Sequence, residues 1–281
     1  MHKFDRSRIG CSTVTFRSCP LPEALDRIRR RDMVRVDIGV VPEFCPHYDP
    51  LATDGDDERR RVLNAVRSRG MRVSTLNSVP GSFNAPNADA ETIKRAAQAN
   101  FALAHELGCY AVTVNSGVAA PENEWHEQAR MVAGHLHELA LIARDHGVEL
   151  SIEAPHVGAL AQSNRQAVDL IDLIGSEHVT VTFDTSHVHL GGGTLLEAFA
   201  ALKGRVGHVH LRDAAGEDFL VTPGEGEVDF RSFLRELLAS GYRRDLNLEL
   251  EYHGATADET EGELVKAYHH IMDVAMSTST P

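Results

Sequence analysis

Eight short runs rich in β-branched and other apolar residues recur along this chain: IGCST from Ile9, VRVDIGV from Val34, RVSTLNS from Arg72, AVTVNSG from Ala111, VELSIE from Val148, VTVTFD from Val179, RVGHVHL from Arg205 and LNLELE from Leu246. Between them lie stretches with the apolar period of a helix. The clearest, residues 89–107, sets Ile93, Ala97, Phe101 and Ala104 on one stripe and ends at Gly108. A second long helix is expected over 124–146, and shorter ones over 22–30, 55–68, 163–174, 195–202, 229–240 and 259–275. Ser163 with Gln166, Thr194 with Glu197, and Thr256 with Glu259 have the spacing of a capping box, in which each side chain satisfies a backbone donor of the other.

Eight strand-to-helix alternations with no linker between them predict an α/β protein folded as a closed (β/α)8 TIM barrel. At 281 residues the chain is expected to be a single domain over 1–281, with its core at about 8–275 and a mobile tail in STSTP. The competing open sheet would need a glycine fingerprint after an early strand, and no G-x-G-x-x-G is there. PGEGEVDF, residues 223–230, reads as a turn. Walker A, G-x-S-x-G and H-E-x-x-H sequences are also missing, so no familiar local motif supplies the chemistry.

Composition narrows the partners. With 28 basic against 41 acidic residues the formal charge is −13, which opposes nucleic acid and anionic membranes and suits a small polar or neutral ligand. The opening MHKFDRSRIG has no signal-peptide core and no apolar run reaches membrane length, so a cytoplasmic protein is expected. Cys11, Cys19, Cys45 and Cys109 form no C-x-x-C pair and read as reduced, buried thiols. A homo-oligomer is compatible with all of this.

The chemistry emerges when the last polar residues of the late strands are marked: Glu153 in SIEAPH, Asp184 in TFDTSH, His210 in HVHLRD and Glu249 in LNLELE. Barrel strands five to eight share one mouth at their C-terminal ends, where active sites are built. Three carboxylates gathered there repel one another and lose hydration, and a divalent cation offsets both costs. Taken singly, each residue is a helix cap or solvated side chain; their ordered recurrence makes them a metal-ligand set. Its hard, oxygen-rich character with one imidazole points first to Mn²⁺, then Mg²⁺, with Zn²⁺ and Co²⁺ chemically admissible.

These residues carry a resemblance. The glutamate of SIEAPH, the D-T-S-H of TFDTSH, the H-L-R-D of HVHLRD, the turn PGEGEVDF and GYRRDLNLE make the chain similar to the xylose isomerase-like TIM-barrel superfamily, in its sugar phosphate isomerase/epimerase branch. The resemblance implies Glu153, Asp184, His210 and Glu249 as metal ligands and a polyol or keto sugar as substrate. It also matches His187 to a histidine that contacts substrate oxygens, and His156 to a mouth-loop residue. His47, Asn77, Asn115 and Arg212 are further substrate-binding candidates, each with a bland alternative: solvation for His47, turn capping for the asparagines, an ion pair with Asp213 for Arg212. Glu251 reads as a rim residue or a support for a ligand, His208 as a bonded position below the metal, and His189 is the least constrained.

A carbonyl and its neighbouring hydroxyl can chelate such a cation, which makes an enediolate accessible as a proton leaves the adjacent carbon. Glu153 and Glu249, one abstracting and the other returning the proton, with His187 steadying the oxygen charge, would give isomerisation or epimerisation. The same intermediate can expel a substituent, so a lyase or dehydratase acting on a keto-polyol or 3-keto-glycoside is the runner-up. The loop after SIEAPH continues as VGALAQ and lacks the acidic residue of some keto-sugar epimerases of the family. Metal-dependent DNA-repair nucleases of the superfamily use early-strand histidines where this chain has Asn77 and Asn115. A non-catalytic sugar-binding barrel is the remaining reading.

Overall fold

The computed structural model describes residues 4–278. Its eight barrel strands are Ile9–Ser12, Arg35–Val41, Arg72–Ser78, Ala111–Asn115, Glu149–Glu153, Val179–Asp184, Val206–Leu211 and Leu246–Leu248. Each pairs in parallel with its sequence neighbour, and the eighth pairs with the first, Ile9 opposite Leu246, so the sheet closes. The protein is thus the expected (β/α)8 barrel.

Alternation along the strands explains the closure. Val112, Val114, Leu150, Ile152, Val181, Phe183, Val209 and Leu211 are buried in the hydrophobic core, while Thr113, Ser151, Thr182, Asp184, His208 and His210, which alternate with them, are polar and also buried. Those polar side chains satisfy one another: Thr182 Oγ1 lies 2.8 Å from Thr113 Oγ1 and 2.7 Å from Ser151 Oγ. Buried polar groups without partners would each cost about 1–3 kcal/mol, so a bore of this kind must bond internally. Gly10 is required by the close approach of two strands, since a Cβ there would collide with Asn247 Oδ1 and the Arg35 carbonyl.

The eight expected helices form, with ends shifted by a few residues, and all three capping boxes are bonded reciprocally. Three features depart from the sequence reading. A short helix, Thr185–Leu190, follows strand six directly, where a loop was expected. The last strand stops at Leu248, one residue before Glu249. The final helix, Ala257–Thr278, enters the STSTP segment, whose residues 279–281 lie outside the described residues. A hairpin of Asp213–Ala215 and Asp218–Val221 rises after strand seven. The four cysteines are free and buried, and among the described residues no helix is long and apolar enough to cross a membrane.

Candidate metal centre

Register brings the late strand ends side by side: Asp184 lies opposite His210, and His210 opposite Asn247. From these ends Glu153, Asp184, His210 and Glu249 each turn one ligand atom into a buried group whose members all lie within 4.8 Å of one another. His210 Nδ1 is 3.3 Å from Glu153 Oε1 and 3.3 Å from Glu249 Oε2.

Three of these side chains, Asp184, Glu249 and His210, are held by their other edge. Asp184 Oδ1 caps the helix Thr185–Leu190, accepting from the Ser186 N–H at 2.8 Å, the Ser186 hydroxyl at 2.6 Å and the His187 N–H at 3.0 Å. That leaves Oδ2 for the cluster. Glu249 Oε1 accepts from Asn77 Nδ2 at 2.7 Å, which leaves Oε2. His210 Nε2 donates to Asp37 Oδ2 at 2.8 Å, which leaves Nδ1 facing the two glutamates. Ligand edges fixed in this way lose little side-chain freedom when a cation binds.

Electrostatics favour positive charge between them. Burial disfavours a charged His210, yet Glu249, Asp37 and Glu153 outweigh it and raise its proton affinity well above that of an ordinary imidazole. The cation already beside the group is Arg212, whose Nη2 donates to Asp184 Oδ2 at 3.0 Å and lies 3.8 Å from Glu249 Oε2. Burial works against Asp184's charge too, but Arg212, His210 and the Ser186 hydrogen bond hold its carboxyl well below the usual range. Three carboxylates, one neutralising guanidinium and an inward-facing imidazole nitrogen, whose proton a cation would replace, fit a divalent cation, and oxygen donors with one nitrogen suit a hard or borderline one.

The structure places the remaining candidates as follows. Arg212, expected at the mouth, is wholly buried: Nε donates to Ser186 Oγ at 3.0 Å, Nη2 to His187 Nε2 at 2.8 Å, and Nη1 is 3.3 Å from Glu251 Oε1. Because Arg only donates, His187 Nε2 is an acceptor; burial pushes that imidazole's pKa well down, so the ring is neutral. His156 packs on it with ring centroids 3.9 Å apart, and Phe219 of the hairpin covers both His187, at 5.0 Å, and the Arg212 guanidinium, at 5.4 Å.

Asn77 is committed to Glu249, and Asn115 Nδ2 donates to Ser82 Oγ at 2.9 Å. His47 is not brought to the group: its Nδ1 meets Thr13 Oγ1 at 2.9 Å and its Nε2 the Cys19 carbonyl at 2.9 Å. Its hydrogen bonds tie down the loop after strand two. Nor does Asp213 pair with Arg212. It accepts the backbone N–H groups of Ala214, Gly224, Gly226 and Val228, pinning the PGEGEVDF turn. Gly224 adopts φ 101° there, and a Cβ on Gly226 would strike Asp213 Oδ1. His189 sits 3.7 Å from Glu227 on the same turn.

Sequence reasoning missed Asp37. Its signal was an acid in the middle of the apolar run VRVDIGV, a place where a charge must have a buried partner.

A family model described as xylose isomerase-like TIM barrel matches residues 40–271. Inosose dehydratase of Clostridium perfringens is 28% identical over 158 residues, covering 50% of this chain and 52% of that protein. The 2-oxo-tetronate isomerase of Pectobacterium atrosepticum is 24% identical over 208 residues, 70% of this chain and 78% of that protein. The chain thus spans about half the length of the first of these relatives and more of the second. Among solved structures, the IolI protein with a bound zinc atom superposes with a TM-score of 0.75 at 18% identity, covering 97% of this chain and 99% of that one.

Proposed function

The chain belongs to the xylose isomerase-like TIM-barrel family, and on that premise we propose that it is a divalent-metal-dependent isomerase or epimerase of a keto sugar or related polyol. The observation that carries this reading is the pair of carboxylate oxygens, Glu153 Oε1 and Glu249 Oε2, each 3.3 Å from one imidazole nitrogen, that of His210. Two proton acceptors converging on one point suit a reaction that removes a proton and returns it.

Glu153, Asp184, His210 and Glu249 would hold the cation, with Mn²⁺ the first choice and Mg²⁺, Co²⁺ or Zn²⁺ alternatives; the zinc in the IolI protein supports a seat of this kind in the family. Bound there, a divalent cation stabilises negative charge on the carbonyl and neighbouring hydroxyl oxygens of a substrate. Glu153 would take the proton from the hydroxyl-bearing carbon beside the carbonyl, and Glu249, protonated from solvent and anchored through Oε1 by Asn77, would return one to the substrate. Arg212 keeps Asp184 ionised and fixes the His187 ring, which stands beside the substrate with His156. Phe219 shields this side of the centre from water.

A second reading, a lyase or dehydratase, is favoured by the 28% identity to an inosose dehydratase and by the VGALAQ loop after SIEAPH. Incubating metal-stripped and Mn²⁺-reconstituted protein with keto sugars, inososes and 3-keto-glycosides in deuterated water separates the two. Metal-dependent deuterium incorporation into substrate or epimer is expected. Loss of a substituent selects elimination instead, and neither event across the panel overturns both enzyme readings.

A further inference from the structure

Beneath the four strand ends, the bore holds a column of groups that the proposed reaction does not use. Asp37, from the middle of strand two, accepts from His210 Nε2 at Oδ2; the same oxygen is 3.4 Å from His208 Nε2 and 3.2 Å from Thr75 Oγ1. Its Oδ1 takes the Ser12 hydroxyl at 2.6 Å. A carboxylate only accepts, so His210 carries a proton on Nε2, while His208 Nε2 also meets Thr75 Oγ1 at 3.3 Å. In a neutral ring Nδ1 then holds the lone pair. That of His210 faces Glu153 and Glu249, and His208 Nδ1 lies 2.7 Å from the Tyr110 hydroxyl. Tyr110 precedes strand four at the opposite end of the barrel. There the Arg244 guanidinium lies 4.8 Å over its ring and pairs with Glu149 at 2.6 Å.

We propose that Asp37 is the positioning residue of the metal centre: it commits His210 to bind the cation through Nδ1, and His208 with Tyr110 braces Asp37 from the far end of the bore. The inference rests on the reading that Glu153, Asp184, His210 and Glu249 hold a divalent cation. Proton direction gives it content, because the Asp37 carboxylate accepts from Ser12, Thr75 and His210 Nε2, and only the His210 tautomer protonated there leaves Nδ1 for a cation. Asp37, His208 and His210 also have ligand atoms within 4.8 Å of one another. A cation of their own would require stripping the His210 Nε2 proton and breaking its hydrogen bond to Asp37.

The test titrates Zn²⁺ into the full-length chain, Asp37→Asn and Tyr110→Phe against a chromophoric chelator, with ¹⁵N spectra of the histidine rings in the Zn²⁺-loaded parent protein. One cation per chain is expected, on His210 Nδ1 with the proton on Nε2. Asp37→Asn should bind about 10–100-fold more weakly, and Tyr110→Phe should lose less. Unchanged affinity in both variants, ligation through Nε2, or two cations per chain would overturn the proposal while leaving a metal centre standing. A parent protein that binds no cation overturns the metal-centre reading as well. Should Asp37→Asn not fold, Tyr110→Phe and the parent spectra decide.

Discussion

Strands five to eight deliver Glu153, Asp184, His210 and Glu249 to the barrel mouth, whereas strands three and four deliver the neutral amides of Asn77 and Asn115. The halves have the same scaffold and the same parallel register but solve different electrostatic problems. Carboxylates at close quarters in a buried setting need a counter-charge, which Arg212 supplies in part and a divalent cation completes. Amides need only hydrogen-bond partners and add no charge for the other half to balance. Their meeting point is the Asn77–Glu249 hydrogen bond, through which the neutral half aims a side chain of the ionic half.

Removing a charge from the ionic half should give the largest effects. Glu153→Gln is expected to lower turnover by about 10²–10⁴-fold, read as solvent-deuterium exchange at saturating metal. Arg212→Met should cost the metal-free protein about 3–5 kcal/mol in urea denaturation, because it leaves the buried Asp184 and the half-buried Glu251 without their partner. Adding Mn²⁺ at 100 times its Kd should then raise the stability of the parent chain by about 2.7 kcal/mol, while Glu249→Gln should show less of this gain at the same concentration. Across the boundary, Asn77→Ala removes one hydrogen bond to a charged group and should cost about 1.5–3 kcal/mol in transition-state binding, measured as kcat/KM. Asn115→Ala, bonded to Ser82 rather than to the cluster, should change kcat/KM by within about 0.5 kcal/mol. If Asn115→Ala proved as damaging as Glu153→Gln, the division of the mouth into halves would collapse.

Much of this was legible in the sequence, and what was not has physical causes. The strand-helix alternation and the three capping boxes are local signals, so the barrel and most helix boundaries could be read directly. Glu153, Asp184, His210 and Glu249 could be nominated because all stand at strand ends, and the structure brings their ligand atoms together. Asp37 could not, because its role depends on partners from strands one, three and seven. The helix Thr185–Leu190 was hidden by its brevity: six residues carry no readable periodicity, and the GGG that follows advertises a loop. For Arg212, the motif H-L-R-D showed a charge near the mouth but not the buried anions that draw it inward.

Asp184 spends one oxygen on the first turn of a helix and turns the other toward the cluster. A cation drawing electron density from that carboxylate weakens its grip on the Ser186 and His187 amides. Occupancy of the centre is therefore coupled to the local opening of a single helical turn, and the exchange rates of those two amide protons become a built-in gauge of whether the seat is filled.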